Sequence, residues 1–271
     1  TIDLLIGLKK FEAAEKLCGE LQRSKSQIQR SQAQHLLMML HRAKGDLGTY
    51  AAELENRLKQ NPQDTGVLES LVEVHLSGDR DDRNPTKAAG YLEKLVALEP
   101  KNESYSHRLA SAYAEAKLYD KAVKLYESML GKNEKRNPFL MRRIVDLYIQ
   151  ANRKEEALAW LEKTNNGTST YSSLKDTAQL YQRLGRKDKA LKLLAQASDA
   201  AKTPGQRAEV GFEIAQMHMN SNQLGEAEKL LRTLMADETI PHPSRLQAKR
   251  MLIFVLDKAG KLGDVNIDGG K

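Results

Sequence analysis

Apolar side chains return along this chain at i, i+3, i+4 and i+7 in one stretch after another, with polar breaks between. That spacing marks amphipathic helices, each with one apolar stripe to bury. The stretches also copy one another. Leu109-Ala110-Ser111-Ala112-Tyr113 is followed by Leu118-Tyr119-Asp120-Lys121-Ala122 and then Leu125-Tyr126. The phrase returns as Ile144-Val145-Asp146-Leu147-Tyr148 with Ala157, and as Thr177-Ala178-Gln179-Leu180-Tyr181 with Ala190. It returns again as Ile214-Ala215-Gln216-Met217-His218 with Ala227. Fainter copies lie at Leu37-Met38 with Tyr50, Leu71-Val72 with Ala88 and Leu252-Ile253 with Val265, and a half copy surrounds Ala14. The anchors Ala14, Tyr50, Ala88, Ala122, Ala157, Ala190, Ala227 and Val265 step by 36, 38, 34, 35, 33, 37 and 38 residues.

This period predicts a unit of two helices, A then B. The small residue of helix A (Ala110, Ala178, Ala215) is expected where helix B crosses closest, facing the anchor alanine. The large residue three places later (Tyr113, Tyr148, Tyr181) is expected to fill the gap towards the next pair. One pair cannot bury both of its apolar faces, so neighbours must stack. Two stretches depart from the period. Gly78 to Thr86 lengthens one inter-helix turn by about four residues, and Asn165 to Ser173 is a polar linker.

The phrase resembles the tetratricopeptide repeat, a unit of about 34 residues with Leu-Gly/Ala, Tyr, Ala, an aromatic, Ala and Pro at fixed places. Pro62 after Asn61 and Pro100 after Glu99 fall on the family's closing proline, although no unit carries its tryptophan. The resemblance covers nearly the whole chain. It implies an all-α, right-handed superhelix of helical hairpins over residues 1–262, about seven to eight pairs with the first truncated. A generic helical-hairpin solenoid is the alternative. Residues 263–271 read either as a flexible Gly-rich tail or as the start of a further module.

In this family the A helices line a concave groove, where partners bind as extended peptides or helices. Carried onto this chain, the inward positions are Ser104, His107 and Ser111, then Arg142, Asp146 and Ile149. They continue as Lys175, Gln179 and Gln182, then Phe212, Gln216 and Met219. His107, Arg142 and Lys175 share one position in three successive units, with Arg108 and Arg143 adjacent. They would form a basic stripe suited to carboxylates or phosphates. Some members grip a C-terminal carboxylate with Lys, Asn, Asn, Lys and Arg. Ser111 and Asp146 stand where asparagines would be needed, so that specificity does not carry over.

Composition fits this reading. Hydrophobic residues make up 40% and charged ones 29%, while aromatics are only 5%, which favours helices over sheets. The net charge is +7, and the pI is about 9.3. The excess is local. Residues 132–192 hold 14 Lys and Arg against 7 Asp and Glu, and the rest of the chain balances. A nucleic-acid-binding helical repeat using that window is therefore the alternative function. Against it, the groove positions offer few aromatics for base stacking.

Nothing in the sequence suggests catalysis. The histidines His35, His41, His75, His107, His218 and His242 show no metal-ligand spacing, and no phosphate loop or nucleophile elbow occurs. His41, His75 and His218 fall on the gap-filling position, so they are expected to pack. Cys18 is expected to be buried and inert. No cofactor or metal is expected within the array. The longest apolar run, Met251 to Leu256, is too short to span a bilayer. The chain starts at Thr1 inside a predicted helix, so its start leaves the compartment undecided. At the other end, Asp264 to Gly269 matches the first half of a calcium loop. It lacks the acidic residue at position 12. A non-catalytic scaffold for a protein or peptide partner, acidic if the stripe is used, is the function expected.

Overall fold

A computed structural model describes residues 2–77, 83–132, 137–164 and 170–262. Among them are fifteen α-helices and no strand. The chain divides into two compact units, Thr1–Lys135 and Arg136–Lys271. The first holds α1 (Ile2–Gly7), α2 (Phe11–Gln22), α3 (Gln27–Lys44), α4 (Leu47–Gln60), α5 (Thr65–Ser77), α6 (Pro85–Leu98), α7 (Glu103–Glu115) and α8 (Tyr119–Lys132). The second holds α9 (Pro138–Gln150), α10 (Lys154–Thr164), α11 (Tyr171–Arg183), α12 (Lys187–Asp199), α13 (Pro204–Asn220), α14 (Leu224–Ala236) and α15 (His242–Lys258). Odd-numbered helices are A helices and even-numbered ones B helices. Within each unit B helices pack on their own A and on the next, as α6 does on α5 and α7, α12 on α11 and α13, and α14 on α13 and α15. This is the all-α repeat of helical hairpins expected from the periodicity.

The turn from A to B explains the register of the repeat. A residue in the left-handed region ends the A helix: Gly45, Lys117, Asn152, Gly185 or Asn222, with φ between 58° and 76°. The next residue donates its N–H back five places to the gap-filling residue, closing the turn. These bonds run from Asp46 to His41 (3.0 Å), Leu118 to Tyr113 (2.8 Å), Arg153 to Tyr148 (2.8 Å), Arg186 to Tyr181 (2.8 Å) and Gln223 to His218 (2.9 Å). The carbonyl of that same residue accepts the N–H of the anchor four places on: Tyr50, Ala122, Ala157, Ala190 or Ala227. A local backbone turn thus carries the anchor to the closest approach of the two helices. At α5–α6 the closing bond joins Asn84 to His75 (2.9 Å) across nine positions, and Ala88 again bonds Asn84 (3.0 Å). The lengthening expected there therefore lies within this turn, of which residues 78–82 lie outside the described residues.

Burial agrees. Ala14, Ala88, Ala122, Ala157, Ala190 and Ala227 are fully buried, and Tyr50 nearly so. Ala110, Ala178 and Ala215 are buried opposite them, and Val265 lies outside the described residues. Tyr113 differs from expectation. Its hydroxyl donates to Glu93 on α6, so it reaches the preceding pair. The cause is that α7 packs on α6 before it, and Tyr113 faces that contact. His41 stacks on Tyr50 (centroids 4.5 Å, 6° between planes), His75 stacks on Tyr91 (5.8 Å, 9°), and both are buried as packing residues. Cys18 is free and buried, and burial pushes its thiol pKa up.

B helices end where the closing prolines stand: α4 at Asn61 before Pro62, and α6 at Glu99 before Pro100. Several helix starts are capped by side chains. Asn137 accepts from the N–H groups of Phe139 (3.0 Å) and Leu140 (3.3 Å), and Thr203 forms a capping box with Gln206. Pro138 and Pro204 occupy the first turn, where no N–H is needed. The calcium-loop match at 264–269 and the sequence assigned to the tail lie outside the described residues.

Candidate functional site

The gap-filling residue provides one ruler for the face of every A helix. Six positions before it stand His35, Glu69 and His107 in the first unit, and Arg142, Lys175 and Phe212 in the second. Two positions before it stand Met39, Glu73 and Ser111, then Asp146, Gln179 and Gln216. In α15, where Lys261 bonds back to the carbonyl of Leu256 (2.8 Å), the same counts give Arg250 and Phe254.

In the second unit this face is knitted from one repeat to the next. Lys175 Nζ lies 2.9 Å from Glu213 Oε1 and also bonds Glu209, both on α13, while Tyr171 donates its hydroxyl to Glu209 at 2.6 Å. Burial by itself would lower the ammonium pKa, but the bonds it donates to Glu209 and Glu213 outweigh it and the net shift is upward. The bond from Lys175, then that from Tyr171, holds the Glu209 carboxyl below its ordinary value. Arg183 bonds Asp146 on α9. Arg142 is exposed and donates to the neutral Gln179 (3.2 Å). Arg143, also exposed, sits over the Phe139 ring with its guanidinium carbon 5.2 Å from the centroid.

These contacts separate the expected stripe into parts. Lys175 is half-buried and charge-balanced by the protein itself, so it is not an open cation. Arg142 keeps a charge that no described carboxylate of its unit meets. Gln182 is exposed on α11, and Gln216 donates to Asn220 (2.9 Å). Phe212 is half-buried, one side packed on the core that includes Ala215, Leu231 and Leu234. Met219, expected on the inward face, is instead buried in that core. In the first unit His107 lies against Tyr126 (centroids 6.0 Å), Ser111 is exposed, and Arg108 is bound by Glu73.

Sequence reasoning missed the part of this face made by α3 and α5. A cavity of about 180 Å³ opens there among side chains that include Gln34, Met38, Glu69, Ser70, Glu73 and Arg108. The signal was present: counting back from His75 puts Glu69 and Glu73 in register with His107 and Ser111. The position held by Arg142 and Lys175 in the second unit is held by Glu69 on α5.

Among the described residues no three His, Cys, Asp or Glu side chains gather as a metal ion would require. No described helix is long and apolar enough to cross a membrane.

Two family models, each described as a tetratricopeptide repeat, match residues 79–139 and 173–208. No curated protein matches the chain in sequence. Among solved structures, a complex of Naa15/Naa10 bound to HypK-THB is similar at 16% identity and TM-score 0.46, over 99% of this chain. This chain spans 39% of that one's length. A tetratricopeptide repeat protein from Parabacteroides merdae is similar at 13% identity and TM-score 0.40, over 94% of this chain and 96% of its own. YrrB, described as a TPR protein with an unusual peptide-binding site, is similar at 16% identity and TM-score 0.36, over 74% of this chain and 99% of its own. Such repeats serve in general as protein–protein interaction scaffolds, typically without catalysis. Tetratricopeptide repeats are thus matched in both units, and the same closing turn and buried anchor recur along the chain.

Proposed function

We propose that the chain holds a peptide or helical segment of a partner protein along the face lined by its A helices. The carrying observation is the placement of phenylalanines in the second unit. Phe139 and Phe254 are 51% and 55% exposed, and Phe212 is half-buried. All three stand on the A-helix ruler, nine, two and six places before the gap-filling residue. Exposed aromatics cost solvation and are enriched where partners are anchored. Arg142, on the same helix as Phe139, supplies a cation for an acidic residue of the partner. The face is built before binding, because its helices are fixed by buried anchors and capped turns. Little ordering entropy is then lost on association.

The test is affinity capture from a lysate of the source organism, with and without nuclease. The intact chain is compared with Phe139→Ser/Phe254→Ser, with Arg142→Glu, and with Lys192→Glu on the exposed side of α12. A protein retained after nuclease, lost with the phenylalanine variant, weakened by Arg142→Glu and kept by Lys192→Glu is the expected result. Partners that vanish with nuclease would favour nucleic-acid binding through the basic window. Loss only with Lys192→Glu would move the site to the B helices.

A further inference from the structure

We infer that the cavity between α3, α5 and α7 receives a lysine or arginine side chain of a partner segment held along the A helices of the first unit. This rests on the reading that partners lie along the A helices, and adds what they must present there. At about 180 Å³ the space is below the roughly 300 Å³ at which small-molecule pockets begin, and suits one side chain. Met38 and Ser70 line it and are buried, and the Ser70 hydroxyl is already given to the Gly66 carbonyl (2.9 Å). These two residues therefore offer chiefly apolar contact, on which a methylene stem can lie.

The charges decide the head group. Glu73 is matched by Arg108, the one lysine or arginine among the lining residues. Among the described residues Glu69 receives a bond only from the neutral Tyr105 hydroxyl (2.6 Å) and forms no ion pair, although His35 and Arg108 also line the cavity. An apolar occupant would strip water from that carboxylate without replacing it, which is costly. An acidic occupant would add repulsion. A guanidinium or ammonium group restores both the hydrogen bonds and the charge balance.

The experiment selects binders from a random ten-residue peptide library on the full chain, then measures one selected peptide by fluorescence anisotropy. The proteins compared are the intact chain, Glu69→Gln and Arg142→Glu. Glu69→Gln keeps an acceptor for Tyr105, and circular dichroism checks that it stays folded. Selected peptides enriched in Lys or Arg at one position, with affinity falling about tenfold for Glu69→Gln and for the peptide with citrulline or norleucine there, are expected. Peptides with no cationic position, or unchanged by Glu69→Gln, would overturn the proposal. If those peptides still weaken with Arg142→Glu, the A-helix reading survives without it. If neither variant matters, or no peptide binds, both fall.

Discussion

Lys175 and Glu213 stand on neighbouring A helices with Nζ and Oε1 2.9 Å apart, one repeat's length of sequence between them. With Glu209 on the same ammonium, a cation of α11 is held by two anions of α13. The Lys175 side chain is 12% exposed, so solvent screens this contact less than a surface pair. Replacing Lys175 by Met leaves two neighbouring carboxylates without it. Unit 2 is then expected to lose about 1 kcal/mol in urea denaturation, most of it recovered in Lys175→Met/Glu213→Gln. Equal losses in the single and double variants would mean that the two residues do not interact. The contact also makes Lys175→Glu a poor probe of binding, because it would disturb the fold, and leaves Arg142→Glu as the clean one.

Gly211 marks a closer approach than any anchor alanine needs. A Cβ added there would meet Leu234 Cδ1 at 2.7 Å and Cγ at 3.3 Å, and Leu234 is held in the core of the second unit. Two effects oppose each other in Gly211→Ala. Helix propensity favours alanine by about 1 kcal/mol, whereas overpacking costs about 1–3 kcal/mol. The second is expected to win, with a net loss of about 1 kcal/mol in a denaturant titration. Adding Leu234→Val should return part of it. A stabilised Gly211→Ala would show that α14 gives way easily.

His75 is buried with its Nε2 atom lacking any hydrogen-bond partner. Burial lowers its pKa from 6.5, Lys87 lowers it further, and Glu55 opposes them without prevailing. Glu55 itself is held below its ordinary value, first by the Tyr91 hydroxyl and then by Lys87. With a folded pKa below the unfolded one, the full contribution of His75 is present above pH 6.5. It is lost as pH falls from there through the folded value. His75→Phe should therefore flatten the slope of unfolding free energy between about pH 7 and pH 5 relative to the parent chain. Identical slopes would place the proton elsewhere.

The fold was readable because its signals are local. A left-handed residue, a backward bond and an anchor four places on lie within ten residues, so the anchors could be named from spacing alone. The partner of Tyr113 could not be, since which neighbour a side chain meets depends on how helices stack. The state of Lys175 was hidden for a related reason: Glu209 and Glu213 lie 34 and 38 positions away. One repeat period separates them, so comparing charges at that spacing would have flagged the pair. Met219 looked inward by count, but α13 runs to Asn220 and its last turns are folded into the core. Glu69 and Glu73 needed the register carried back across the lengthened α5–α6 turn, where the repeated phrase is faintest.

The most direct test of the central claim is site-specific photo-crosslinking in cells of the source organism. A benzophenone side chain is placed at Gln182, exposed on the A helix α11, or at Gln196, exposed on the B helix α12. Crosslinks to a protein from Gln182 and not from Gln196 are predicted. Crosslinks from Gln196 alone, or to nucleic acid from Gln182, would contradict the claim that the A helices hold a protein partner.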